Sequence, residues 1–310
     1  MNEQPLIAIL LSTFNGSEFL AEQLDSLLGQ SYSKTIIVAR DDGSHDDSAD
    51  ILLHYANKNP SRFHLVEADN LNRGASASFS WLIKYVLEHK LELGMANAYM
   101  MFCDQDDIWQ PLKTEQQVSL MLQMEKRDAN TPILIHSDLR VVTAQLEVLA
   151  DSLLRYQGLD GTRNSFRQLL LNNVVTGCTM LINERLARLT GPIPEQAVMH
   201  DWWLSLVAAA YGRLGFIPDA LVDYRQHANN TLGAREYTPS SQSNIDLIRK
   251  AINIKYTPVL FDVAEQAGEF LNCFHKNLTV TQRMSLWLVT GLRVKNGVFQ
   301  RVLYRVIRLL

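Results

Sequence analysis

Short, uninterrupted apolar runs, each ending in a polar cluster and followed by an amphipathic stretch, recur along the first part of the chain. Leu6 to Leu11 is the first run, the pattern of a strand buried on both faces, and it breaks at Ser12-Thr13-Phe14-Asn15-Gly16. Phe19, Leu20, Leu24, Leu27 and Leu28 then recur at helical spacing, which predicts a helix over Glu18 to Leu28. The unit repeats as Thr35 to Ala39, Arg40-Asp41-Asp42-Gly43-Ser44 and a helix from about Ser48 to Asn57. It repeats again as Phe63 to Glu67, Asn70 to Gly74 and a helix over Ser78 to Leu87. A fourth run, Tyr99 to Cys103, ends in Asp104-Gln105-Asp106-Asp107. Strand, polar loop and helix in repetition predict an α/β fold with a Rossmann-like, mostly parallel sheet flanked by helices. Such sheets bind ligands beyond the carboxyl ends of their strands, so these polar loops are expected to converge on one crevice.

Beyond Pro111 the pattern predicts a helix over Thr114 to Gln123, a strand over Pro132 to Asp138, and turns and short helices from Val141 to Gly161. A helix over Phe166 to Leu171 follows, then a strand over Val174 to Ile182 in which Gly177 allows close backbone approach. His200-Asp201-Trp202-Trp203 opens an apolar helix reaching Tyr211, and Phe216 to His227 reads as extended, which sets Arg225 and His227 on the same side of the backbone. Composition shifts near Leu232: Gly233 to Ser243 reads as a polar loop and the remainder as helical. From Lys276 onward every charged residue is basic (Lys276, Arg283, Arg293, Lys295, Arg301, Arg305, Arg308), interleaved with apolar residues such as Trp287, Phe299, Val302 and Val306. A basic amphipathic end of this kind suits peripheral contact with an anionic membrane, each nearby Lys or Arg adding roughly 1 kcal/mol. The bland alternative is packing on its own domain or on a second copy as a homodimer.

Composition narrows the class. A chain of 310 residues with 47% hydrophobic and 20% charged residues can bury a sizeable core. A net charge of -4 gives no footprint for nucleic acid. Cys103, Cys178 and Cys273 are far apart and form no C-x-x-C pair, which suits a reducing, cytoplasmic compartment. The apolar run after Met1 lacks a basic leader and is too short for a signal peptide or a span, and no segment approaches the roughly 20 apolar residues a spanning helix needs.

The acidic stretch at Asp104 to Asp107 is the centre of the candidate chemistry. Asp104 and Asp106, one residue apart, turn to the same side of an extended backbone, where they repel unless a cation lies between them. Mg2+ or Mn2+, held by carboxylates and completed by substrate phosphates, fits such a pair; a cap for the following helix is the competing reading. Convergence of the strand ends favours the metal, and Asp107 is then left as the cap. Neither G-x-G-x-x-G nor a phosphate loop follows the first strand, so a nucleotide's phosphates would rely on the metal. Asp201, at the mouth of a helix beside two tryptophans, is a candidate base or a helix cap.

Taken together, Ser12-Thr13-Phe14-Asn15, Asp41-Asp42-Gly43-Ser44, Asn72-x-Gly74, Asp104-Gln105-Asp106-Asp107-x-Trp109, His200-Asp201-Trp202-Trp203 and Tyr224-Arg225-Gln226-His227 resemble family 2 of the inverting nucleotide-sugar glycosyltransferases, in its rhamnosyltransferase-like branch. The resemblance runs from about Leu6 to Leu232. It implies a GT-A domain over 1–232, with a nucleotide-binding half (1–110) and an acceptor-binding half (111–232), and a helical extension over 233–310. It implies further that Ser12, Thr13, Phe14 and Asn15 cradle the donor, with Phe14 stacked on its base, and that Asp42 accepts from the base's ring N–H. Arg73, Gly74 and Asp104 complete the donor site, and Arg225 meets the leaving diphosphate. Asp104, Asp106 and His227 hold the metal, and Asp201 is the base. His-Asp in place of the commoner Glu-Asp directs the donor toward dTDP-L-rhamnose, with a UDP-hexose as the alternative. The acceptor is a lipid-linked oligosaccharide of bacterial surface polysaccharide assembly, at the cytoplasmic face of the inner membrane. A sugar-1-phosphate nucleotidyltransferase is the rival of another class, disfavoured because Ser12 to Gly16 is not a basic glycine-rich loop. A non-catalytic nucleotide-sugar binding module is disfavoured by the pairing of a metal site with a base.

Overall fold

The structure, a computed structural model, describes residues 4–67, 69, 71–227 and 257–309; the polar loop expected at Gly233 to Ser243 lies outside the described residues. Strand β1 (Ile7–Thr13) shows why the first apolar run is continuous. Ile7, Ile9 and Leu11 enter one core layer and Ala8 and Leu10 the other, all at 0% exposure. Around it lie β2 (Thr35–Asp41), β3 (Phe63–Leu65) and β4 (Tyr99–Cys103), all parallel, in the order β3-β2-β1-β4. Helices α1 (Ser17–Leu28) and α2 (Ser48–Lys58) cover one face through Leu20, Leu24, Leu27 and Leu52. Helix α3 (Ala75–His89) covers the other through Phe79, Leu82, Ile83 and Val86.

The second half is mixed. It contains β5 (Ile108–Trp109), α4 (Lys113–Glu125), β6 (Ile133–Thr143), β7 (Val148–Ala150), α5 (Leu153–Tyr156), α6 (Phe166–Leu169), β8 (Leu181–Ile182), α7 (Glu184–Thr190), α8 (His200–Tyr211) and β9 (Arg213–Gln226). The sheet continues β4-β8-β6-β9-β5, with β8 antiparallel to both its neighbours, β9 parallel to β6, and β5 and β7 antiparallel on their partners. The short strands β5 and β7 carry too few residues to show a period and do not appear in the sequence pattern.

Two expectations are corrected. The stretch from Val141 is not an excursion of turns: β6 runs on to Thr143 beside β9 and folds back through β7 as a hairpin. The stretch Val174 to Ile182 is not one strand. Gly177–Thr179 is a 3-10 turn, and only Leu181–Ile182 pairs. A side chain at Gly177 would meet the His200 ring at 2.8 Å, so the backbone passes against that ring instead of joining the sheet.

Three helices close the described chain: α9 (Pro258–Phe274), α10 (Val280–Thr290) and α11 (Gly297–Leu309). They are not an appendage. Val263, Ala264, Ala267 and Phe270 of α9 and Leu286 and Val289 of α10 share one buried cluster with Trp202 and Trp203 of α8. The buried Gln266 accepts from the Val198 amide at 2.9 Å, just before α8. Among the described residues, no helix is long and apolar enough to cross a membrane.

Candidate active site

The ends of β1, β2 and β4 and the start of α8 surround a cleft of about 420 Å³. Ser12, Phe14, Asp42, Gly74, Asp104, Asp106 and Asp201 all line it. An adjoining hollow of about 330 Å³ shares Phe14 and adds Asn15, Phe19 and His227.

Gln105, which the sequence reading passes over, organises the rim. Its Oε1 accepts from the Thr13 hydroxyl and the Phe14 amide, both at 2.7 Å, and its Nε2 donates to the Phe14 carbonyl at 3.1 Å. Phe14 is thereby held at 42% exposure over the cleft mouth. Thr13 is buried with its hydroxyl spent on Gln105, so it supports the loop instead of facing the cleft. Asn15 has φ of 50° and binds the loop after β2: its amide donates to Ser44 Oγ and its Oδ1 accepts from the His45 amide. The Asp41 carboxylate closes that same loop on Ser44.

Asp42 lies in the cleft wall at 2% exposure. Its two oxygens accept from Arg40, from the Arg73 amide at 3.0 Å and from the Gly74 amide at 2.9 Å. A carboxylate has about four acceptor positions, and these three donors make four contacts because the Arg73 amide reaches both oxygens, so a base ring N–H would compete with that amide. Arg40, buried beneath, also donates to Ser78, Asp69 and the Leu71 carbonyl, which fixes the loop leading into α3. Arg73 contributes its backbone to this loop, while its guanidinium pairs with Asp69 at 2.5 Å.

The acidic stretch divides into two roles. Asp104 and Asp106 reach the cleft; Asp107 does not. Burial, then the nearby charges of Asp106 and Asp201, push the Asp104 carboxyl up to about 7. Among the described residues no lysine or arginine forms an ion pair with Asp104 or Asp201. Asp106 Oδ2 lies 2.8 Å from His227 Nε2. Two carboxylates offer hard oxygen donors and the imidazole a borderline nitrogen, and a divalent cation would offset the burial and the repulsion that raise Asp104, so the residues fit Mg2+ or Mn2+. A tighter grouping, Asp104, Asp107 and Cys178 with ligand atoms within 4.8 Å, suits those ions less. Asp107 and Cys178 are fully buried beneath the cleft, and burial pushes the thiol well above its usual range.

Asp107 is therefore no cap. Helix α4 begins six residues later, and the Asp107 carboxylate accepts from the Arg225 amide at 3.2 Å. Arg225 likewise departs from its expected place at a diphosphate. Its guanidinium is 2% exposed, stacks 4.5 Å over Phe19, and donates to the Asp106 and Ala144 carbonyls and to Glu22. It braces the strip that carries Asp106 and His227. Lys113 is buried nearby, 3.6 Å over the Trp109 ring, and desolvation lowers its ammonium to about 7.

Asp201 stands in the first turn of α8, whose cap residue is Met199. Its Oδ1 accepts from the Trp202 amide at 2.5 Å and from Asn173 Nδ2 at 3.2 Å. Burial pushes the carboxyl up to about 7 against the backbone amides of Trp202, Gly177 and Asp201 itself, which act to lower it. His200 beside it is 3% exposed, its ring 4.4 Å from that of Phe79 and 5.7 Å from that of Phe102, and burial holds it neutral at about 3.

The fold has solved counterparts. Staphylococcus aureus TarS 1-349, in complex with UDP-GlcNAc, superposes with a TM-score of 0.54 at 13% identity, covering 98% of this chain and 92% of that one. The mannosyltransferase PcManGT from Pyrobaculum calidifontis, in complex with GDP-Man and Mn2+, gives 0.53 at 14% identity over 99% and 87% of the two chains. Among curated sequences, dTDP-rhamnosyl transferase RfbG of Shigella flexneri is 25% identical over 77% of this chain and 79% of its own length. An uncharacterized glycosyltransferase of Rickettsia prowazekii is 24% identical over 73% of this chain, which spans 66% of that protein; for a Rickettsia felis relative the span is 35%. The sequence profile described as glycosyl transferase family 2 matches residues 8–188, more than half of the chain. With the GT-A architecture and the cleft at the strand ends already in place, that match assigns the chain to glycosyl transferase family 2.

Proposed function

We propose that the chain is an inverting, metal-dependent glycosyltransferase that moves a hexose, best matched by L-rhamnose from dTDP-L-rhamnose, onto a lipid-linked oligosaccharide of a bacterial surface polysaccharide at the cytoplasmic membrane face. The observation that carries the reading is one cleft lined by Asp104, Asp106 and Asp201, close enough that the other two charges act on Asp104. The rhamnose choice is supported by the likeness to RfbG, and the polysaccharide setting by a 24% identical Bacillus subtilis relative named for teichuronic acid biosynthesis.

In this reading residues 1–110 form the donor half and 111–232 the acceptor half. Phe14 offers its exposed ring to the donor's pyrimidine, and Ser12 and the amide-lined loop at Gly74 flank the nucleotide. Asp104, Asp106 and His227 would hold Mg2+ or Mn2+, which when bound supplies positive charge against the leaving nucleoside diphosphate. Asp201 takes the proton from the acceptor hydroxyl as that oxygen displaces the diphosphate in one step. A carboxyl held near 7 is a stronger base than an ordinary aspartate and still ionises at neutral pH. The Trp202 and Asn173 contacts fix its orientation.

The test is a thermal-shift panel of dTDP-rhamnose, UDP-glucose, UDP-GlcNAc and GDP-mannose, each with and without Mn2+. Ligand bound to the folded state raises the melting temperature. dTDP-rhamnose is expected to shift it most, only with Mn2+, and not in Asp106→Asn. Equal shifts with and without Mn2+ would remove the metal from the reading, and a larger shift with a UDP sugar would replace rhamnose.

A further inference from the structure

Helices α10 and α11 carry a surface that the cleft does not use. On α10, Val280, Met284 and Trp287 fall on one face and are 64, 62 and 71% exposed. On α11, Leu303, Tyr304 and Ile307 pack inward against the core and Gln300 is fully buried. Val298, Phe299, Val302 and Val306 stay 44 to 57% exposed. Helical spacing sets those four in one stripe and Arg301, Arg305 and Arg308 in the stripe beside it, so α11 presents an inner face, an exposed apolar strip and a basic strip. No acid occurs between Lys276 and the last residue. Of the acids on the neighbouring α9, Glu265 is tied to Arg293 at 2.7 Å.

We infer that this face docks on an anionic lipid bilayer, with Trp287 and Phe299 entering the headgroup boundary and the arginines meeting lipid phosphates. An exposed apolar strip flanked by arginines, with an exposed tryptophan on the neighbouring helix, is the chemistry of a membrane-interface surface. A second copy fits less well. A two-fold interface would set the arginine strips of the two chains near each other with no acid to answer them. The inference stands apart from the proposed activity, because lipid binding is read without transfer.

The test is flotation of the full chain with vesicles of phosphatidylcholine alone or mixed with phosphatidylglycerol. Binding is expected only to the anionic vesicles. The triple variant Arg301→Glu/Arg305→Glu/Arg308→Glu is expected to lose at least about a hundredfold in affinity, from three contacts at roughly fivefold each. Trp287→Ser/Phe299→Ser is expected to weaken binding while keeping the wild-type melting temperature, since both side chains are exposed. Failure to bind, equal binding to neutral vesicles, or a charge variant that binds as wild type would overturn the inference. So would a concentration-dependent dimer that forms without vesicle binding and is lost in Trp287→Ser/Phe299→Ser.

Discussion

Replacing Asp201 by Asn should move activity and stability in opposite directions. If Asp201 is the base, its loss removes proton transfer worth 10² to 10⁴ in rate, or about 3–5 kcal/mol of barrier. Stability follows from the raised carboxyl. Folding lifts it from 3.8 to about 7, so between those values the folded chain holds a proton that the unfolded chain has released. Stability therefore falls as pH rises through this window, and the full cost is present above about 7. Three pH units would set a ceiling of about 4 kcal/mol; the carboxyl opens onto a solvent-facing cleft, which reduces this to about 1–2 kcal/mol. Asparagine escapes that cost and keeps an oxygen for the Trp202 amide. Urea unfolding in the presence of a chelator should show Asp201→Asn more stable than wild type at pH 8, with that margin reduced to roughly 40% at pH 5, while transfer with Mn2+ drops at least a hundredfold. Wild-type transfer should rise as pH increases toward about 7, with the limb displaced lower where a bound cation draws down the carboxyl. Transfer within tenfold of wild type, or equal destabilisation at both pH values, would refute the assignment.

Two further outcomes follow from packing. Gly177→Ala puts a methyl 2.8 Å from His200 Nε2 and 3.8 Å from Asp201 Oδ2, and the ring is hemmed in by Phe79 and Phe102. It should cost about 1–3 kcal/mol in thermal unfolding and reduce turnover more than donor affinity; an unchanged melting curve would show that the ring can yield. Arg225→Met leaves the Asp106 and Ala144 carbonyls without their donor, while the exposed Glu22 returns to water, so it should destabilise by about 1–3 kcal/mol; loss of diphosphate affinity at full stability would return Arg225 to the ligand.

The parallel half was legible because β1, β2 and β4 are buried on both faces, so a nearly unbroken apolar run marks each and the polar break marks its cleft end. The placing of Phe14, Asp104, Asp106 and Asp201 at one cleft could be read because they sit at such breaks or at a helix mouth. The residues that escaped depend on partners far along the chain. Gln105 looks like a spacer between two acids until β1 is placed beside β4. Arg40 looks like an ordinary loop cation until Asp42, Asp69 and Ser78 close around it. Arg225 shares an extended segment with His227, and only Phe19 and Glu22 on α1 and Ala144 after β6 show that its charge is spent internally. The antiparallel strands β5 and β7 were hidden by their brevity, and nothing local in α9 reports that Phe270 packs on Trp203.

Gln105 ties two ligand contacts into one thermodynamic unit. It stands between the two cleft carboxylates and at the same time grips the backbone of Phe14 from both sides. If Phe14 takes the nucleobase and Asp104 and Asp106 the cation, as proposed, then seating the base would steady the segment on which those carboxylates ride, and the cation would steady Phe14 in return. Reciprocity then requires that each raise the other's affinity by the same factor, so nucleotide without metal, or metal without nucleotide, should each bind more weakly than the pair.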